Sequence, residues 1–126
     1  MTGGETLDEH LARWAGEDSA RKEIAAIVCA VASACRSISQ LIAAGALAGS
    51  LGDTRHDHGA GDVQKVLDVL ANDMLVASLR NLPVAAIASE ELEAPLPMHA
   101  DARLLVAVDP LDGSSNIDTN VSVGSI

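Results

Sequence analysis

The sequence predicts an α/β protein whose helices precede its strands, and three observations carry that expectation. Before residue 80 the apolar residues recur at alternating four- and three-residue spacings, the period of an amphipathic helix. After residue 80 come two short apolar runs, Val84–Ala88 and Leu104–Val108, of strand length. Directly after the second run stands Asp109-Pro110, and a proline cannot extend a sheet ladder. That arrangement leaves a carboxylate at the carboxyl end of a strand, where open α/β sheets collect ligands. With 126 residues, 48% of them apolar, the chain is expected to be one ordered domain at most.

Taken in order, Thr6-Leu-Asp-Glu9 has the form of a capping box and opens a short helix that Gly16 ends after Ala15. Asp18 and Ser19 are candidate caps for a second helix running to about Ala44, with Gly45 as its stop. Its expected core stripe is Ile24, Val28, Val31, Cys35, Ile38 and Ile42. Gly45 to Gly61 carries five of the ten glycines and no periodicity, so it reads as a mobile loop. His56-Asp57-His58 lies in that loop without further ligands nearby, and is read as solvated. Asp62 precedes a third helix, about Val63 to Leu79, with an expected buried face of Val66, Leu67, Leu70, Met74 and Leu75. Lys65, Asp68, Asn72 and Asp73 flank that face, with Asp68 at its border. The first strand follows, and Ser89-Glu90-Glu91 closes it with two adjacent acids that need a cation or full solvation. Pro95 and Pro97 mark a connection to the second strand, which reads as buried. Val121, Val123 and Ile126 read as a further strand.

Composition narrows the function. A formal net charge of −10 argues against nucleic-acid and anionic-membrane partners. Cys29 and Cys35 lie on one expected helix about 9 Å apart along its axis, too far for a disulfide. Free thiols fit a reducing cytoplasm. The first residues carry acids and no long apolar core, so no signal peptide is read, and the most apolar run, Ile24 to Cys35, is shorter than the roughly 20 residues of a bilayer span. A soluble, cytoplasmic chain is expected.

The chemistry is concentrated in Asp109-Pro-Leu-Asp-Gly-Ser-Ser-Asn-Ile-Asp118. Two carboxylates suited to a divalent cation sit beside small residues whose backbone N–H groups are open to a phosphate. A bound cation would supply the positive charge that eight Lys and Arg leave scarce.

This string, continuing Thr-Asn-Val-Ser-Val-Gly-Ser-Ile126, closely resembles the metal-site signature of class 1 fructose-1,6-bisphosphatases, of bacterial type. The wider superfamily of magnesium-dependent, lithium-sensitive sugar phosphatases shares a shorter form, and Ser-Ser-Asn-Ile-Asp favours the fructose bisphosphatase branch. Gly61-Asp-Val-Gln-Lys-Val-Leu-Asp-Val-Leu-Ala-Asn-Asp73 is similar to the loop-to-helix segment of that family, and Ser89-Glu-Glu91 to its S-E-E element. The resemblance covers roughly residues 20 to 126 and implies a layered α-β-α-β-α sugar-phosphatase fold. This chain would supply its N-terminal helices and first sheet strands.

The resemblance further implies that Glu90, Asp109, Asp112 and the Leu111 carbonyl bind metal, and that Glu91 and Asp68 position and deprotonate the attacking water. It makes Asp62 a mobile-loop acid that enters on closure, and Asp112, Gly113, Ser114 and Ser115 the phosphate cradle. Two or more Mg²⁺ per site are implied, which Mn²⁺ or Zn²⁺ could replace. The implied reaction is hydrolysis of D-fructose 1,6-bisphosphate to D-fructose 6-phosphate and phosphate, in gluconeogenesis or the Calvin cycle, by a homo-oligomer, usually a tetramer.

In the family the sugar pocket, a second phosphate site and another metal-ligand carboxylate lie beyond the equivalent of Ile126. Residues 1–126 are therefore expected to be the N-terminal part of the domain, inactive alone. Glu17-Asp-Ser-Ala-Arg21 lacks the Gly-Thr-rich loop through which animal members bind AMP, so AMP inhibition is not carried over. The rival enzymatic readings are a sedoheptulose-1,7-bisphosphatase, a bifunctional enzyme or another sugar phosphatase of the superfamily. The non-enzymatic readings are a metal-binding remnant and a calcium-binding module, the latter opposed by spacing that does not match an EF-hand loop.

Overall fold

The computed structural model describes residues 3–48, 60–119 and 122–126, and the side chains of residues 45–48, 60–63 and 118–119 fall outside that description. Three helices, α1 (Leu7–Ala15), α2 (Ser19–Ala48) and α3 (Ala60–Leu79), precede strands β1 (Val84–Ser89), β2 (Leu96–Pro97) and β3 (Leu104–Val108). A short 3-10 helix, Ser114–Thr119, follows the last strand.

Local chemistry sets the first helix. The Thr6 hydroxyl accepts from the Glu9 N–H while the Glu9 carboxylate accepts from the Thr6 N–H, a reciprocal cap. Gly16 ends α1 at φ 52°, a backbone region that suits glycine. Asp18 accepts from the Arg21 N–H at 3.0 Å and starts α2. Gly45 does not stop α2, which continues to Ala48. A helical glycine costs only about 1 kcal/mol, so it weakens a helix without having to end it.

Helix α2 packs against α1 on one side and α3 on another. Its buried positions are Ala25, Ile27, Ala34 and Ile38, whereas Ile24 and Val28 lie exposed. Of the expected stripe Ile38 is buried and Val31 and Ile42 pack against the cores. The buried line also takes in Ile27 and Ala25 and Ala34, the two alanines being residues that hydropathy alone ranks below isoleucine. The Ser19–Ala44 segment is long and apolar enough by length and composition to cross a membrane, with mean hydropathy 1.6, so the shorter run read from sequence understated it. Here it docks on two other helices.

The third helix begins at Ala60, before the expected Val63, which puts Asp62 inside the helix rather than ahead of it. Leu67, Ala71, Leu75 and Leu79 form its buried line, while Val66 is 50% exposed and Leu70 also exposed. The face is rotated from the expected one, again toward an alanine. Asn72, read as flanking, is buried.

In the sheet the order is β2-β1-β3, with β2 antiparallel and β3 parallel to β1. The sequence marks the β2 segment only as a connection. Pro97 is compatible with β2 because this strand forms a sheet edge. One sheet face joins α2 and α3 in a core of Ile27, Leu75, Leu79, Val84 and Ile87. Strand β3 is not buried on both faces, since Leu105 on the other face is 75% exposed. Val121 lies outside the described residues, and residues 122–126 form no strand. They fold back on the motif instead, with Gly124 bridging Asp112 and Ile126 exchanging two backbone bonds with Asp109.

Candidate active site

Parallel pairing of β1 and β3 brings their carboxyl ends together. Ser89 lies opposite Val108, and the Glu90 N–H donates to the Val108 carbonyl at 3.1 Å. Glu90 and Glu91 thus leave one strand beside the point where Asp109 leaves the other. The turn after Asp109 is held from inside. Asp109 Oδ1 accepts from the Leu111 N–H at 3.1 Å, Pro110 is fully buried, and Leu111 is buried in a second core with Ile38, Leu67 and Ala71. Ile117 and Val123 pack against the same core. Apolar side chains within and beside the acidic motif therefore seat it between α2 and α3.

Helix α3 contributes Asp68. Its Oδ2 accepts from the Ser114 hydroxyl at 3.3 Å, and its Oδ1 is buried without a partner. Around Glu91 the acids interact. Burial first, then a side-chain hydrogen bond with Glu90, then the charges of Asp68, Glu90 and Asp109 push the Glu91 carboxyl above the usual carboxylate range. The structure therefore draws together Asp68, Glu90, Glu91, Asp109 and Ser114 from three separate segments.

Other expected residues are less engaged. Asp112 and Ser115 are exposed, and Gly113 takes φ 77° at the turn into the 3-10 helix. The Asp62 side chain and His56-Asp57-His58 lie outside the described residues. Cys29 and Cys35 are free, half-buried thiols. Among the described residues no three His, Cys, Asp or Glu side chains converge closely enough to hold an ion by themselves. The donor chemistry does fit a hard divalent cation. All the candidates are oxygen donors, their negative charges already crowd Glu91, and one buried carboxylate oxygen of Asp68 lacks a proton donor.

Sequence reasoning gave no role to Asn72 or to the Ser89 hydroxyl. Ser89 Oγ donates to Asn72 Oδ1 at 2.7 Å, and both side chains are buried. The available signal was spacing, since Asn72 stands one helical turn after Asp68.

Residues 6–126 match the family model described as fructose-1-6-bisphosphatase, N-terminal domain. The chain belongs to the fructose-1,6-bisphosphatase family. It is 52% identical to a class 1 fructose-1,6-bisphosphatase of Xanthobacter autotrophicus, covering 98% of this chain and 33% of that protein. With a class 1 fructose-1,6-bisphosphatase of Azorhizobium caulinodans the identity is again 52%, covering 96% of this chain and 38% of the relative. Among solved structures, Leishmania major fructose-1,6-bisphosphatase in holo form superposes with a TM-score of 0.76 at 33% identity, over 98% of this chain and 38% of that one. The chain thus spans between 33% and 38% of the relatives it matches, and its helices and small mixed sheet are the N-terminal α/β part of the family fold.

Proposed function

We propose that this chain supplies the N-terminal part of a divalent-cation-dependent phosphatase that hydrolyses the 1-phosphate of D-fructose 1,6-bisphosphate. The observation that carries the reading is the convergence at the carboxyl ends of β1 and β3. Glu90 and Glu91 leave β1 beside the point where Asp109 leaves β3. Glu91 feels the charges of Asp68 and Asp109, and Ser114 joins Asp68 to the motif turn. Family membership at about half identity supports the bisphosphate as substrate.

In this reading Glu90, Asp109, Asp112 and the Leu111 carbonyl would hold Mg²⁺, which when bound supplies charge neutralisation at the phosphoryl group and its leaving oxygen. Glu91 and Asp68 orient the attacking water and take its proton. Burial, the first cause of the raised proton affinity of Glu91, is compatible with that task. Asp62 would enter the site from its own segment. Gly113, Ser114 and Ser115 would cradle the phosphate with the N–H groups and hydroxyls of the turn. A homotetramer working in cytoplasmic carbohydrate metabolism, gluconeogenic or of the Calvin cycle, belongs to the same proposal.

The test is phosphate release by the full-length enzyme at varied Mg²⁺. Cation-dependent turnover on fructose 1,6-bisphosphate, well above that on inositol monophosphate, is expected. No release at any Mg²⁺, Mn²⁺ or Zn²⁺ concentration would refute it.

A further inference from the structure

We propose that Asn72 is a positioning residue that acts through Ser89 to set Glu91 against Asp68. The inference rests on the phosphatase reading for its consequence in turnover, and on geometry for the rest.

Asn72 and Ser89 are the two polar side chains buried among the described residues. Ser89 has one hydroxyl proton, and the 2.7 Å contact to Asn72 Oδ1 uses it. The hydroxyl oxygen then remains as acceptor, and the Glu91 N–H donates to it at 3.3 Å. A single chain of bonds therefore runs from the Glu91 backbone through Ser89 to Asn72. Asn72 is one turn from Asp68 on the same side of α3, so the chain ends beside that carboxylate.

A buried serine–asparagine pair among aliphatic side chains contributes little net stability, because each group gave up water to form it. Its effect is directional. Van der Waals contacts between α3 and β1 tolerate a small slide or rotation, while a 2.7 Å bond between two buried groups does not. The pair fixes how far along β1 the helix sits. That setting decides the separation of Asp68, carried on the helix, from Glu91, carried just past the strand.

The test uses the full-length enzyme with Asn72→Ala, Ser89→Ala, the double variant and Ser89→Thr, which keeps the hydroxyl. Ser78→Ala is the control, since the Ser78 hydroxyl bonds only locally, to the Leu75 carbonyl of its own helix. Each alanine variant is expected to lose about tenfold in kcat with KM little changed, and the double variant to lose no more than either. The Glu91 amide, followed by hydrogen exchange without metal or substrate, should exchange about tenfold faster in all three. Ser89→Thr should restore both readouts and Ser78→Ala should alter neither.

Additive losses in the double variant, or an unchanged Glu91 exchange rate in either single variant, would overturn the proposal. So would full kcat with only a lowered Tm. Should Asn72→Ala not fold, Ser89→Ala removes one oxygen only and carries the same test. An unaltered enzyme that releases no phosphate from the bisphosphate would refute the function, and the exchange rates would still decide the positioning role.

Discussion

Ser114 Oγ donates to Asp68 Oδ2 at 3.3 Å, a bond across 46 residues that ties the motif turn to helix α3. The other carboxylate oxygen of Asp68 is buried and lacks a donor, an arrangement that costs about 1–3 kcal/mol wherever it occurs. Asp68→Asn keeps an acceptor for Ser114 and removes the charge. In the full-length enzyme the variant should melt at the same temperature or slightly higher, while kcat falls by roughly 10²–10⁴, the span of a lost general base. Thermal denaturation and phosphate release on one preparation check both halves. A variant with normal kcat would remove Asp68 from proton transfer.

Asp109 gives a second separation of fold from function. Its backbone N–H donates to the Ile126 carbonyl at 2.8 Å and its carbonyl accepts from the Ile126 N–H at 3.0 Å, so the main chain anchors itself. The side chain adds the bond from the Leu111 N–H, which an asparagine oxygen can also accept. Asp109→Asn should therefore leave the circular dichroism spectrum and Tm near normal and abolish Mg²⁺-dependent turnover. Near-normal activity across a Mg²⁺ titration would sink the metal assignment.

What the sequence reveals and what it hides have different physical sources. The Thr6–Glu9 cap, the stop at Gly16 and the end of β3 at Asp109-Pro110 depend on neighbouring residues, and a local pattern contains them. The helix faces depend on which neighbour approaches most closely. Ala34 and Ala71 occupy those contacts, and no hydropathy ranking selects an alanine over Val66 or Ile24. Strand β2 is invisible for a similar reason, because two residues and a proline become a strand only when β1 lies alongside. At the site, family resemblance named the acids, and parallel pairing of β1 with β3 accounts for their meeting. The Asn72–Ser89 bond is not legible in the sequence, since neither residue type signals burial.

Away from the site, Cys29 makes a long-range contact with its own consequence. Its thiol donates to Asp8 Oδ1 at 3.2 Å, joining α2 to α1. That hydrogen bond first, then burial, then the carboxylate charge raise the thiol above its ordinary pKa. The thiol therefore stays protonated to higher pH than a free cysteine. In a Cys35→Ser background, Asp8→Asn should shift the pH profile of Cys29 alkylation to lower pH and speed reaction at pH 8 several-fold. An unchanged profile would show that Asp8 does not hold the proton.

Gly113 is where backbone freedom and close approach coincide. At φ 77° a side chain costs about 1–2 kcal/mol from backbone strain alone. A Cβ there would also stand 3.2 Å from Asn116 Nδ2 and 3.4 Å from the Ser122 carbonyl oxygen. The Asn116 amide donates to that same carbonyl at 3.2 Å, so it cannot step aside without breaking a bond. Gly113→Ala should then lower stability by more than the strain figure, and lower turnover if the turn cradles phosphate as proposed. Asn116→Ala removes the amide contact, so adding Gly113→Ala to that background should cost about the 1–2 kcal/mol of strain and little else. Denaturant unfolding of the four proteins in the cycle measures the difference. Equal costs in the two backgrounds would mean that the amide contact carries none of the penalty and that glycine is required there for its φ alone.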